Sequence, residues 1–251
     1  MSMKAKVAVV TGAASGIGQA TALRLASEGA VVYAADISDV EETIGSADLS
    51  AGGSITGVSL DVRSGDSWAP VVEQIVRDHG GIDALANVAG VVNMMSADTV
   101  VDLTEEAWDH VLNTNLRGTW LGMKNVIPHM IERGGGRIVN ISSMAAKRGL
   151  PNLASYSASK GGVISLTQQA AYEYGDRGVL VNAICPGTID TPILGDITPE
   201  MKAANANAHI LKRLGTADEL ASMVVYLMRE GSFLTGEIYP VDGGWSAKGN
   251  F

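Results

Sequence analysis

Cysteine is almost missing from this chain: Cys185 stands alone among 251 residues. A single thiol closes no intrachain disulfide and builds no thiolate zinc site, which suits a reducing compartment. The four histidines (His79, His110, His129, His209) are scattered, and none has metal-ligand spacing to another His or to the Cys, so no metal is expected. Aromatic residues make up 5% of the chain, too few for a base-stacking platform. Cations are short as well, 18 Lys and Arg against 27 Asp and Glu, for a net charge of −9. That balance argues against nucleic acid and anionic membrane surfaces as partners. No apolar run approaches the roughly 20 residues needed to span a bilayer. The opening residues lead straight into Val7–Val10, too short for the apolar core of a secretory signal. A soluble, cytoplasmic protein is the expectation.

What the chain does have is glycine, 30 of them, and a regular alternation of two patterns. Short β-branched runs fall at Val7–Val10, Val31–Ala35, Ile55–Leu60, Ile82–Ala86, Arg137–Ile141, Leu180–Ile184 and Ile238–Val241. Between them lie helical windows with apolar residues three and four apart: Gly18–Ser27, Ser67–Asp78, Glu105–Glu132, Ala154–Tyr174 and Ala217–Met228. Strands alternating with helices predict βαβ units, a mostly parallel seven-stranded sheet with helices on both faces, and an α/β, doubly wound fold of Rossmann type. No repeat or linker interrupts the pattern, so residues 1–251 read as a single domain. Only 190–212 breaks the rhythm, with Pro192, Pro199 and an Ala/Asn-rich middle. Its place after a strand end, where open α/β sheets put their ligands, favours a substrate lid over a mere surface excursion. His209 at its end either touches substrate or is solvated, and solvation is the plainer reading.

Thr11-Gly12-Ala-Ala-Ser15-Gly16-Ile17-Gly18 follows the first strand and opens the first helix. Glycines there allow a sharp turn and let a diphosphate approach backbone N–H groups at a helix N-terminus. The spacing is G-x-x-x-G-x-G rather than G-x-G-x-x-G. The second strand ends at Asp36, whose carboxylate suits the adenosine ribose hydroxyls and repels an added phosphate. It also suits an N-cap for the next helix, and both roles can hold together. Neither Ser15, Ile37 nor Ser38 offers a cation, so NAD is expected over NADP.

Tyr156 and Lys160 lie four apart on a predicted helix and share a face. A phenol is a poor acid–base group at neutral pH, with a pKa near ~10. Lowering it by ~2.5 units takes roughly 3.4 kcal/mol, about what a unit charge at 4.5 Å supplies at an effective dielectric of ~20. Such a pair would move protons at pH 7–8, although a solvated surface pair has the same spacing.

In this order, Thr11–Gly18, Asp61-Val62, Asn87-Val-Ala-Gly90, Asn115, Ser143, Tyr156/Lys160, Pro186-Gly187 and Thr191-Pro192 resemble the classical short-chain dehydrogenase/reductase family over essentially the whole chain. The resemblance implies a catalytic set of Asn115, Ser143, Tyr156 and Lys160. Within it, Asn115 is chosen over Asn113 because it directly precedes Leu-x-Gly, and Ser143 over Ser142 because it lies thirteen positions before the tyrosine. Asn115 would hold a water linking the lysine to solvent, and Ser143 would bond the substrate oxygen. For the cofactor the resemblance implies Gly12, Ser15, Gly16, Ile17, Gly18, Asp36 and Ile37. It adds Asp61 and Val62 at the adenine, then Asn87, Ala89 and Gly90. Tyr156 and Lys160 serve the nicotinamide ribose, and Pro186, Gly187, Ile189 and Thr191 the carboxamide side. Val88 departs from the family's second Asn, which leaves the backbone approach of Gly90 unaffected.

Pocket candidates are Val92, Met94, Met95, Met144, Leu150, Ile193, Leu194 and Met201, a mostly apolar set suited to an alicyclic, terpenoid or aliphatic alcohol or ketone. Some of these methionines equally suit core gaps. Lys147 and Arg148 flank the predicted mouth and read as surface charges. The resemblance implies a homotetramer packed through helices near Ala107–Ile131 and Ser155–Tyr174. The expected activity is NAD(H)-dependent hydride transfer. A 3-oxoacyl-[acyl-carrier-protein] reductase, usually NADPH-dependent, is the alternative, and a catalytically silent nucleotide-binding protein is a third.

Overall fold

Strand β1 (Val7–Thr11) is buried along its whole length, as a strand covered on both faces must be. Its side chains alternate: Val7 and Val9 join one apolar cluster and Ala8 and Val10 the other, the period-two consequence of the pleat. The computed structural model describes residues 2–248. Around β1 run β2 (Val31–Asp36), β3 (Ser54–Ser59), β4 (Ala84–Asn87), β5 (Gly136–Ile141), β6 (Val179–Pro186) and β7 (Ile238–Val241). All pairs are parallel, in the order β3-β2-β1-β4-β5-β6-β7. This is the doubly wound fold. The order reverses between β1 and β4, so a crevice opens beyond their C-terminal ends.

Helices α1 (Gly16–Ser27) and α8 (Ala217–Arg229) supply the apolar face that covers one side, where Leu25, Leu220 and Val224 are buried. On the other side, α3 (Gly65–His79) and α5 (Gly118–Glu132) bury Trp68, Ile75, Val126 and Met130. Fully burying each aliphatic side chain of this size contributes about 1.5–3 kcal/mol. The longest helix, α6 (Ala154–Tyr174), packs on β6.

The structure departs from the sequence pattern in three places. The window Glu105–Glu132 is not one helix: α4 (Glu105–Leu112) passes through a π-turn at Asn113–Arg117 into α5. One short helix, α2 (Glu41–Gly45), and another, α7 (Pro199–Ala208), carry too little apolar periodicity to be predicted. Asp36 does not cap α2, which starts five residues later after Val40. No helix among the described residues is long and apolar enough to cross a membrane.

Candidate active site

β1 ends in a glycine turn that only glycine can make. Gly12 has φ +69°, and a Cβ there would come within 2.8 Å of Ala89 Cα. A Cβ on Gly18 would overlap the carbonyl of Gly12, so α1 packs directly onto the turn. Thr11 ties the two central strands together: its hydroxyl accepts from the N–H groups of Val88 (3.0 Å) and Ala89 (3.2 Å) and donates to Ala86 O (3.4 Å). Ser15 is the N-cap residue of α1 but makes no side-chain cap hydrogen bond, whereas Ser64, Thr104, Thr198 and Thr216 cap α3, α4, α7 and α8. The leading N–H groups of α1 therefore face the crevice without a protein acceptor, an arrangement that fits an anion such as a diphosphate.

The crevice has a volume of about 310 Å³. Of the residues expected at a cofactor, Gly12, Ser15, Gly16, Ile17, Gly18, Asp36, Ile37, Asp61, Val62, Ala89, Gly90 and Thr191 line it. The Asp36 carboxylate is held by the N–H groups of Ala14 (3.0 Å) and Ser38 (2.9 Å). Ile37, 70% exposed, gives the crevice an apolar wall. Asp61 is less free than expected. Arg63 grips it through Nε (2.9 Å) and a terminal nitrogen (2.9 Å), and hydrogen bonds from Arg63 hold the Asp61 carboxyl below the usual range. This cation follows Asp61 rather than Asp36 in the chain, so the residues flanking Asp36 carry no sign of it. Arg63, His110 and Thr114 also line the crevice; the last two lie on the helix run leading to Asn115, the one signal that could have found them.

Other expected residues lie elsewhere. Asn87 is buried in a polar chain, donating to Asn140 Oδ1 (2.8 Å), which in turn donates to Thr167 (2.9 Å). Its side chain ties β4 to β5 and α6 rather than facing the crevice. Pro186 closes β6, and the Gly187 N–H donates to Val241 O (3.1 Å). Ile189 turns its side chain into the core and bridges Gly215, leaving its backbone at the strand end.

The chemistry-bearing side chains come from three elements. Asp98 anchors the start of α6, accepting from the N–H (2.8 Å) and hydroxyl (2.9 Å) of Ser155. That fixes Tyr156 in the first turn and Lys160 one turn on. The Ser142 hydroxyl is buried and donates to Lys160 O (2.8 Å). Ser143 instead accepts from the Ala145 N–H (3.1 Å), and its hydroxyl works to lower the pKa of the Tyr156 phenol. Asn115 sits in the π-turn with no exposed surface. Its amide oxygen accepts from the Val91 N–H (2.8 Å), and its nitrogen donates to Val91 O (2.9 Å) and Ser159 (3.1 Å). Both amide hydrogens are used, in holding Val91 and Ser159, which leaves the amide oxygen one further acceptor site. Gly90 joins the site to the crevice: a Cβ there would lie 3.3 Å from both Asn115 Oδ1 and Lys160 Nζ.

Electrostatics differ from the expected pairing. Lys160 Nζ donates to Ile141 O (2.8 Å) and lies 5.6 Å from the Tyr156 ring centre. Burial lowers the Lys160 pKa to about 8. Burial also raises the Tyr156 pKa, against a lowering hydrogen bond from Ser143 and with a small push from Cys185. The expectation of a phenol already lowered by its lysine is therefore corrected, because both groups are buried and desolvation is the largest influence on each. Cys185 is itself buried beside them, and burial lifts its thiol.

The pocket expectations divide. Ile193 lines the crevice, whereas Met94 (79% exposed) and Met95 are exposed in the loop after β4 and Met201 is exposed on α7. Val92 and Leu194 are half-buried. Met144 is 1% exposed and packs internally. Leu150 belongs to a separate apolar depression with Val100, Trp108, Pro151 and Leu153. Arg148 donates to Ser246 O (3.1 Å). His209 is not solvated: it is 2% exposed and accepts from the Thr188 N–H. Among the described residues no cluster of His, Cys, Asp or Glu is arranged to hold a metal.

Comparison with known proteins agrees with this geometry. The family described as Enoyl-(Acyl carrier protein) reductase matches residues 12–246. The chain is 39% identical to the 3-oxoacyl-[acyl-carrier-protein] reductase FabG of Thermotoga maritima, over 97% of this chain and 99% of that one. It is 37% identical to the cis-4-hydroxycyclohexanecarboxylate dehydrogenase of Sinomonas cyclohexanicum, over 96% and 97%. A solved short-chain type dehydrogenase/reductase from Mycobacterium ulcerans superposes with a TM-score of 0.93 at 30% identity, covering 99% of this chain and 92% of that one.

Proposed function

This chain belongs to the short-chain dehydrogenase/reductase family, and from that premise we propose that it transfers a hydride between NAD(H) and an apolar secondary alcohol or ketone, alicyclic, terpenoid or aliphatic. The observation that carries the reading is one continuous path. A glycine-walled crevice holds the Asp36 carboxylate at one end and meets Lys160 and Asn115 across Gly90 at the other. Gly12 to Gly18 would hold the diphosphate, Asp36 the adenosine ribose, and Tyr156 and Lys160 the second ribose. When bound, the nicotinamide supplies the hydride acceptor or donor. The protein's own residues handle the proton: Tyr156 in its ionised form would take it from the substrate hydroxyl in oxidation, the resulting phenol would return it in reduction, and Ser143 would donate to the substrate oxygen as charge builds there. Lys160, buried and near half-charged at pH 8, accepts or releases a proton beside the phenol. Asp36 supports NAD over NADP, and Arg63 does not offset it because its guanidinium is committed to Asp61. The 37% identical cyclohexane-ring dehydrogenase supports an alicyclic substrate. Segment 190–212 is the substrate lid in this reading, and the buried lone cysteine supports a cytoplasmic setting. Trp108, Trp120 and Tyr172, large side chains left exposed on α4, α5 and α6, support a homotetramer.

The test is a panel of cyclic and open-chain ketones and alcohols, run with NADH or NAD and with the phosphorylated cofactors. Turnover should favour the unphosphorylated cofactor, and Tyr156→Phe should lose about 10²–10⁴-fold in kcat while still binding NADH. Near-normal turnover by that variant would remove the mechanism. The 39% identity to a 3-oxoacyl reductase favours a second reading, in which a 3-oxoacyl thioester outruns every ketone in the panel. A protein that binds NADH but turns over nothing would instead be a silent nucleotide binder.

A further inference from the structure

We propose that His209 is a positioning residue: its imidazole clasps the base of the 190–208 flap to Thr188 and thereby holds the nicotinamide side of the crevice in place. The inference rests on the hydride-transfer reading and adds a residue to it. His209 follows directly on α7 and is 2% exposed. Its Nε2 accepts from the Thr188 N–H at 3.1 Å, so Nε2 is unprotonated and the neutral ring carries its hydrogen on Nδ1.

The ring is fitted closely on several sides. A Cβ on Gly187 would lie 2.6 Å from Nε2 and 2.9 Å from Asp242 Cα, and one on Gly243 would lie 3.3 Å from His209 Cβ. The Trp245 ring meets it edge-on, with centres 5.5 Å apart. The end of α7, the loop after β6 and the chain after β7 therefore converge on one imidazole. Nδ1 is buried without a protein partner, and His209 borders a cavity of about 140 Å³ that Arg213 and Glu219 also line, room enough for a water to accept that hydrogen.

The clasp has a mechanical consequence. The flap starts just beyond Thr188 in the loop after β6 and ends at His209, so this bond joins its two feet across 21 residues. Backbone bonds from Gly215 N to Thr188 O (3.0 Å) and from Asp190 N to Gly215 O (2.9 Å) reinforce the same point. Ile189 and Thr191, on the carboxamide side, follow at once. Removing the imidazole acceptor leaves the Thr188 N–H unsatisfied and lets this stretch shift.

The experiment compares wild type, His209→Met and His209→Gln by calorimetric titration with NADH and with ADP-ribose, which lacks the nicotinamide. His209→Met removes the acceptor, and His209→Gln returns an amide oxygen at similar reach. NADH affinity should fall about tenfold in His209→Met and recover in His209→Gln, with ADP-ribose affinity unchanged in all three. Equal losses for both ligands, no loss for either, or no recovery with Gln would overturn the clasp. A wild type that binds neither ligand would overturn the dinucleotide reading beneath it. Nitrogen NMR of the wild-type ring needs no variant: a hydrogen on Nδ1 supports the clasp, and one on Nε2 overturns it.

Discussion

At the scale of single residues, Lys160 carries the most tension. An unfolded lysine titrates at 10.5 and this one at about 8 because it is buried. Between those values the unfolded chain binds the extra proton, so folding stability rises with pH from about 8 toward 10. The full cost, about 3 kcal/mol, is present below pH 8. Above pH 10 the raised pKa of Tyr156 acts in the opposite direction, since the folded state then holds the extra proton. Lys160→Met should therefore stabilise the ligand-free protein at pH 7 by about 1–3 kcal/mol while abolishing turnover, as read by urea unfolding beside an activity assay. A destabilised variant would show that the bond to Ile141 O outweighs desolvation. The spacing of Tyr156 and Lys160 was legible in the sequence; their pKa values were not, because desolvation depends on walls such as Cys185 and Ile141 contributed by other strands. Burial is also why the solvated reading of His209 fails: the residue is 2% exposed, and a polar residue at a helix end carries no local sign of whether it faces solvent or the interior.

At the scale of elements, the π-turn at Asn113–Arg117 is the feature that periodicity could not show. Apolar spacing continues through it, and one extra residue per turn barely alters the pattern. Yet it turns the Asn115 amide onto both backbone groups of Val91. Asn115→Leu should cost about 2–4 kcal/mol by leaving both of those Val91 groups without partners, measured by denaturant unfolding. A cost under half a kcal/mol would mean that water takes the amide's place. Helix α7 escaped notice for a different reason: none of its residues is buried, so it leaves no apolar stripe. Its signals were Thr198 and Pro199, a cap and a first-turn proline, and nothing more.

At the scale of the whole molecule, the strand runs were readable almost throughout, because a sheet covered on both faces demands continuous apolar segments. The outer surface was less so. Exposed Trp108 and Trp120 lie on α4 and α5, and the depression around Leu150 shares Trp108 with Val100. Sedimentation at micromolar concentration should find four copies of the 26.0 kDa chain together, and replacing Trp108 and Trp120 by Gln should shift the population toward smaller species. A monomeric wild type would end the homotetramer proposal.

Thr11 makes the floor of the crevice rigid. Prising β1 from β4 would strand three backbone groups on one hydroxyl, at roughly 1 kcal/mol or more apiece. In the proposed reading, cofactor and substrate would then come and go through the roof alone, so the pace of exchange would follow how readily that roof swings, and tightening the floor further would leave it unchanged.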